Sequence, residues 1–283
     1  MPHIGRYDEA TLATPPLYAA HSQGFRRVAL VDHTTGSVHQ ALHDNWLDPG
    51  GTVDLHVCAF EKGIYLLAGE AIFSRDGEAY RLRRGDFAVV HVGVASGWRN
   101  AGDEPLRWLE VNTPQPKPPG KQRDTFFPKN GAPPTTGDVP NLAGVQLLGH
   151  FDESQIPPVE QLQQGGNISG VYLNIFIQKD FGAHHHNFLF IRYPPGAHIK
   201  PHDHAYEESY FILDGEVETE IEGVRQTVRA GDVVWTGVGC GHAFYNTSDA
   251  PVSWLETFTP QPPAQNVFRF FGEWEAKGRV IEA

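Results

Sequence analysis

Along its 283 residues the chain is cut into short apolar runs rich in Val, Ile, Phe, Tyr and Trp, separated by glycine and proline. Runs of this length bounded by turn residues predict β-strands, and their number predicts an all-β protein. Alternation assigns the faces of individual strands. Counted from Glu208, Tyr210 and Ile212 fall on one inner face; counted from His242, Phe244 falls on another. Trp235, in the strand leading to His242, is expected at the mouth of the same barrel. No run of about 18 apolar residues occurs, so no membrane span is expected.

The pattern repeats at a constant offset of 146 residues. The nine residues from Trp108 to Pro116 match those from Trp254 to Pro262 at seven positions. The same offset pairs Gly36 with Gly182, Gly69 with Gly215, Gly85 and Asp86 with Gly231 and Asp232, and Asn100 with Asn246. An offset held through several strands and turns is what a duplicated domain leaves behind. Two β-barrels in tandem follow, with divisions expected as an N-terminal arm over 1–24, a first barrel over 25–118, a Pro/Gly-rich linker and junction over 119–165, and a second barrel with its tail over 166–283. Leu142, Val145, Leu147, Leu148 and Phe151 are expected to pack at the junction. Phe268, Phe270, Phe271 and Trp274 make the tail too apolar to hang free.

The second copy carries the chemistry. Its first block runs Gly196, His202, His204, Glu208, Gly215, and its second runs Gly231, Gly239, His242, Asn246. His202 and His204 point to one face of a strand, and Glu208 joins them after a short bend. With His242 on a neighbouring strand, three imidazoles and one carboxylate form half of an octahedral cage. Such a set suits Fe(II) or Mn(II) first and admits Ni, Co, Cu or Zn, whereas Mg and Ca prefer all-oxygen ligands. Four ligands leave two positions open for water, substrate or O2, which marks a catalytic rather than a closed structural site. One divalent metal per chain is expected.

In the first copy the offset places His56 at His202, Cys58 at His204, Lys62 at Glu208 and Ser96 at His242. A lysine at the carboxylate position opposes a metal outright. Glu61 is one residue out of register and faces the other way, and His91 falls opposite Gly237 in a loop. The first barrel reads as structural. The run His184, His185, His186 invites a second-metal reading but is read as a polar strand entry with one ring inward. Cys240 is read as a small buried residue, and Glu207 as facing away from the ligands.

These two blocks resemble the two-part signature of the cupin superfamily, with Gly237 standing where the second block usually has proline. The resemblance spans about Phe25 to Pro262 and implies a bicupin: tandem jelly-roll barrels with metal only in the C-terminal one. Oxalate-degrading bicupins usually carry arginine three residues before the first ligand histidine. Ile199 occupies that position, which argues against oxalate. Ureidoglycine aminohydrolases share the C-terminal-only metal but use a different ligand order.

The net charge of −12 gives no electrostatic footing on nucleic acid or anionic lipid. Two cysteines in different halves, Cys58 and Cys240, exclude a disulfide framework and fit the cytoplasm. The N-terminus lacks the apolar stretch of a secretory signal. The expected function is that of a metal-dependent dioxygenase acting on a small chelating organic acid or enol, with Tyr210 as the candidate catalytic residue and Trp235, Phe244 and Ile212 facing the substrate. The alternatives are non-redox isomerisation, decarboxylation or amidohydrolysis on the same metal, and small-molecule binding without turnover. A homodimer is the expected assembly.

Overall fold

A computed structural model describes residues 2–118, 120–133, 135, 141–156, 166–261 and 269–271. It is built almost wholly of antiparallel strands, as the alternation predicts, and no described helix is long and apolar enough to cross a membrane. Two compact units emerge. One comprises Met1–Tyr7, Glu153–Phe176 and Asn187–Ala283; the other comprises Asp8–Asp152 and Ile177–His186.

The expected divisions at 24, 118 and 165 do not coincide with these units. Strand pairing, rather than composition, sets the limits. His3–Arg6 adds an antiparallel strand to Asp232–Thr236, so the first residues of the chain belong with the second barrel. Leu148–His150 pairs with Asp86–Val90, so the junction segment belongs to the first unit as far as Asp152. Leu142, Val145 and Leu148 accordingly pack against the core of that unit.

The first unit in sequence is one ten-stranded sheet curled around a core of Phe25, Leu47, Ile64, Phe73, Trp98 and Trp108. Its longest strand, Ala41–Cys58, bends through both halves: residues 41–47 pair with Leu106–Thr113, and residues 52–57 with Ala95–Asn100. The second unit has two six-stranded sheets. One holds Glu207–Asp214 between Asp232–Thr236 and Val252–Thr259; the other holds His242–Tyr245 between His198–Asp203 and Glu216–Ile221. Their inner faces enclose a core that includes Tyr193, Tyr210, Ile212, Phe244 and Trp254.

The duplication is visible bond by bond. Asn100 donates its side-chain amide to the carbonyls of Leu47 and Glu104, each at 2.9 Å. Asn246 does the same to Tyr193 and Ala250, each at 2.8 Å. Gly69 and Gly215 both have positive φ, and a Cβ would collide with the backbone of Pro105 and Leu106 at the first and of Pro251 and Val252 at the second.

Candidate metal centre

The ligand set assembles where two sheets of the second unit face each other. A register shift between Ile199 and His202 breaks the pairing of His198–Asp203 with the strand carrying His242, and beyond it His202 lies directly opposite His242. Glu208 sits at the start of Glu207–Asp214, opposite Thr236 and Phe258. Ligand nitrogens of His202, His204 and His242 all lie within 4.8 Å of one another. Glu208 closes the cluster, with Oε1 3.4 Å from His204 Nε2 and Oε2 3.1 Å from His242 Nε2.

The surroundings orient these groups as metal ligands. His202 donates Nδ1–H to the carbonyl of Lys200 at 2.7 Å, and His242 donates Nδ1–H to that of Cys240 at 2.9 Å. Each ring thereby turns its Nε2 lone pair inward, as outer hydrogen bonds do in metal sites. All four side chains are nearly inaccessible to solvent. Burial, followed by the neighbouring imidazoles, holds His202 well below the ordinary histidine range, and burial lowers His204 to about 4 against the pull of Glu208. Burial opposes ionisation of Glu208, yet His204 and His242 bring its carboxyl down to about 2. Burial likewise opposes protonation of His242, but its bond to Glu208 leaves it raised. Inward lone pairs on His202 and His204, a His242 ring whose Nε2 meets Glu208, and one ionised carboxylate fit a divalent transition metal that would take the place of the shared proton.

A cavity of about 50 Å³ adjoins the cluster. Among the described residues its wall is apolar apart from the ligands, three tyrosines and Glu256, and contains no lysine or arginine. Tyr210 and Phe244 line it, as expected from alternation. Ile212 does not; it is sealed in the barrel core instead. Trp235 is not at the mouth either. Val234 opposite Tyr210 points inward, so Trp235 next to it turns to the far face, where its Nε1–H donates to Glu207 at 3.4 Å. Glu207 faces away from the ligands and yet is buried. The Tyr210 hydroxyl donates to Glu208 Oε2 at 2.6 Å, which makes it a holder of the ligand carboxylate. Burial and Glu222 push the Cys240 thiol up to about 12, far from nucleophilic.

Two wall residues were passed over in the sequence. Tyr206 stacks on His204 at 4.7 Å and 9°; alternation from His204 pointed to it. Glu256 accepts a 3.1 Å bond from the Trp254 indole, and burial, reinforced by the Glu208 carboxylate, holds its carboxyl well above the usual range. Its signal was the repeated Trp-Leu-Glu motif. From the tail, Arg269 grips Asp203 through two bonds of 2.6 and 2.7 Å, and Phe270 packs opposite His202. Phe270 is buried and Phe271 exposed. Phe268 and Trp274 lie outside the described residues.

The cupin-domain family matches the chain over residues 47–112 and again over 189–258. The oxalate-binding protein of Thermotoga maritima is 31% identical over 105 residues, which is 36% of this chain and 86% of the relative. The oxalate decarboxylase of Lactobacillus farciminis, solved as a formate complex, is similar with a TM-score of 0.66 at 17% identity, over 97% of this chain and 90% of that one. The oxalate decarboxylase of Bacillus subtilis, whose Mn(II) centres are named in its description, is similar with a TM-score of 0.61 at 18% identity, over 89% of this chain and 76% of that one. At such identities the structural likeness speaks for the fold.

Proposed function

The chain belongs to the cupin superfamily as a bicupin, and from that premise we propose that it is a metal-dependent enzyme that decarboxylates, or otherwise cleaves without net oxidation, a small chelating carboxylate. The observation that carries this reading is the small, largely apolar cavity of about 50 Å³ beside the His₃Glu cluster. That space admits a substrate of a few heavy atoms, since on this measure a cavity of about 10–15 Å³ already holds a water. The dioxygenase expected from the sequence draws no support from the relatives, and the non-redox alternative stands nearer to them. Mn(II) or Fe(II) is the favoured ion.

A divalent ion held by His202, His204, Glu208 and His242 would polarise a carboxylate on its open positions and stabilise charge that develops there. The rest belongs to the chain. Leu189, Ile191, Phe244 and Phe258 keep water from the reacting carbon. When a C–C bond breaks and CO₂ leaves, the electron pair remaining on carbon needs a proton. Glu256, whose carboxyl burial keeps protonated, is placed to give one, and solvent returns it after release. With isoleucine at position 199 and no lysine or arginine among the described residues of the wall, a monoanionic substrate is favoured over a dianion such as oxalate.

The test is anaerobic incubation of Mn(II)- or Fe(II)-loaded protein with a panel of small 2-oxo, 2-hydroxy and dicarboxylic acids, following CO₂ release. Turnover without oxygen supports the proposal; turnover that needs O₂ and places labelled oxygen in the product overturns it in favour of the dioxygenase. A second reading, binding without turnover, is favoured by the name of the oxalate-binding relative. It predicts tight binding by a panel member and no product. A twofold dimer in the cytosol completes the proposal, checked by light scattering.

A further inference from the structure

The first unit holds a second cluster of metal-ligating side chains, away from the degenerate position at His56. Glu61 opens the strand Glu61–Ala68 one residue before Lys62 and turns to the opposite face. There it is fully buried and bound by three successive histidines. The backbone N–H groups of His184 and His185 donate to it at 3.0 to 3.1 Å, and the His186 ring donates Nδ1–H to Oε1 at 2.9 Å. A side chain at position 63 would collide with the His186 ring, so Gly63 makes the room. Burial opposes the charge on Glu61, but His186 and these backbone donors hold its carboxyl below the ordinary range. Glu61 is thus a fixed, ionised anchor for the segment at 184–186.

That anchoring role uses the backbone of His184 and the ring of His186. It does not account for the side chains of His91 and His184. Both approach the other oxygen: His91 Nε2 and His184 Nδ1 each lie 3.8 Å from Glu61 Oε2. The ligand atoms of Glu61, His91 and His184 all lie within 4.8 Å of one another. The two rings stack at 4.3 Å and 12°, and His184 is the exposed member, with 65% of its side chain accessible.

We propose that Glu61, His91 and His184 form a second, exchangeable site for a borderline divalent metal such as Zn(II), Co(II), Ni(II) or Cu(II). Two imidazoles and one carboxylate already oriented by outer hydrogen bonds match the preferences of these ions, and water completes the shell. Binding exchanges one contact: the neutral His91 ring, which donates Nε2–H to the Gly182 carbonyl at 2.8 Å, switches to its Nδ1–H tautomer, breaks that bond and turns the Nε2 lone pair to the ion. The exposed His184 ring rotates out of the stack to meet it. Three ligands, one of them solvated and one giving up a bond, make this the weaker of the two sites. Dialysed protein therefore keeps the cupin metal and loses this one.

The experiment is calorimetric titration of full-length His202→Ala/His204→Ala protein, in which the cupin site is disabled, with Zn(II) and with Co(II). One ion per chain should bind. Adding His91→Ala or His184→Ala should weaken that binding at least tenfold, while adding His185→Ala, which keeps the backbone donor to Glu61, should leave it in place. Glu61 itself is left unaltered because its loss also frees the segment it anchors; circular dichroism confirms that each variant is folded. The proposal is overturned if the disabled protein takes up no metal, or if binding survives both the His91 and the His184 substitutions.

Discussion

Nζ of Lys62 lies 2.6 Å from Nε2 of His56, and His56 donates its Nδ1–H to the carbonyl of Asp54, two residues back. His202 makes the same backward bond to Lys200. The first barrel has therefore kept the ring orientation of a metal ligand and set an ammonium group against it. Opposite His56 stands Ser96, as His242 stands opposite His202. The charge is balanced by Glu110, which binds Arg27 at 2.9 Å and which Lys62 and Arg27 together, against burial, bring down to about 2. An internal ion network replaces the metal.

The first prediction concerns the intact copy. His204→Ala or Glu208→Ala should empty the tightly held site after dialysis, as read by elemental analysis, while far-ultraviolet dichroism stays that of the parent. Each barrel has its own apolar core to hold it. Retention of a full equivalent of metal by either dialysed variant would contradict the ligand assignment.

Glu110→Gln tests the replaced copy. The change keeps the shape and removes the carboxylate that binds Arg27 at 2.9 Å and offsets Lys62. Breaking a buried pair costs on the order of 3–5 kcal/mol, so thermal unfolding should shift down by several degrees or more. Metal content, held in the other unit, should not change. A variant as stable as the parent would show that the network contributes nothing.

The same cluster predicts how stability depends on pH. Burial first, with Lys62 at His56 and Arg27 at His43, lowers both rings to about 3. An unfolded imidazole titrates near ~6.5. Between these values the unfolded chain binds more protons than the folded one. The stability the neutral rings contribute is thus complete above about 6.5 and is lost as pH falls toward 3. Urea unfolding at a series of pH values should show this slope, and His56→Gln should flatten it. A slope unchanged in that variant would exclude His56 as its source.

The barrels, the duplication and the two ligand blocks could be read from the sequence because each depends on local rules: turn glycines, strand alternation and a repeat offset. Trp235 was misplaced because the count ran along the strand without its partner; only the pairing of Val234 with Tyr210 fixes which face is inward. The compact units were also not legible, since His3–Arg6 reaches its partner strand across more than two hundred residues. Glu61 could be seen to turn away from His56, but not to meet His184 and His186, because that approach is a matter of tertiary packing.

Tyr210 entered as a catalytic candidate, and its geometry suits a positioning residue. Its hydroxyl holds Glu208 Oε2 at 2.6 Å, an outer contact of the kind whose loss costs about 10–100-fold in metal affinity or activity. Tyr210→Phe should therefore weaken metal binding, measured by competition with a chelator, and restore much of its activity when metal is supplied in excess. Lost turnover at full metal occupancy would instead return Tyr210 to a direct role.

Glu256 and Glu110 occupy the same position in the two copies, and both accept from a tryptophan indole two residues back, at 3.1 and 3.5 Å. Their surroundings separate them. Glu110 faces Arg27 and Lys62 and is ionised, whereas Glu256 faces the Glu208 carboxylate, and burial raises it. A carboxyl that keeps its proton beside a small, largely apolar cavity is suited to protonate the carbon left by departing CO₂. Glu256→Gln preserves the volume and the indole contact but has no acidic proton. Metal content and substrate binding should be retained, and kcat should fall by about 10²–10⁴, the range for losing a general acid. In deuterated water, product from the parent should carry deuterium on the carbon that lost CO₂. Full turnover in Glu256→Gln with such labelling intact would assign the proton to another donor.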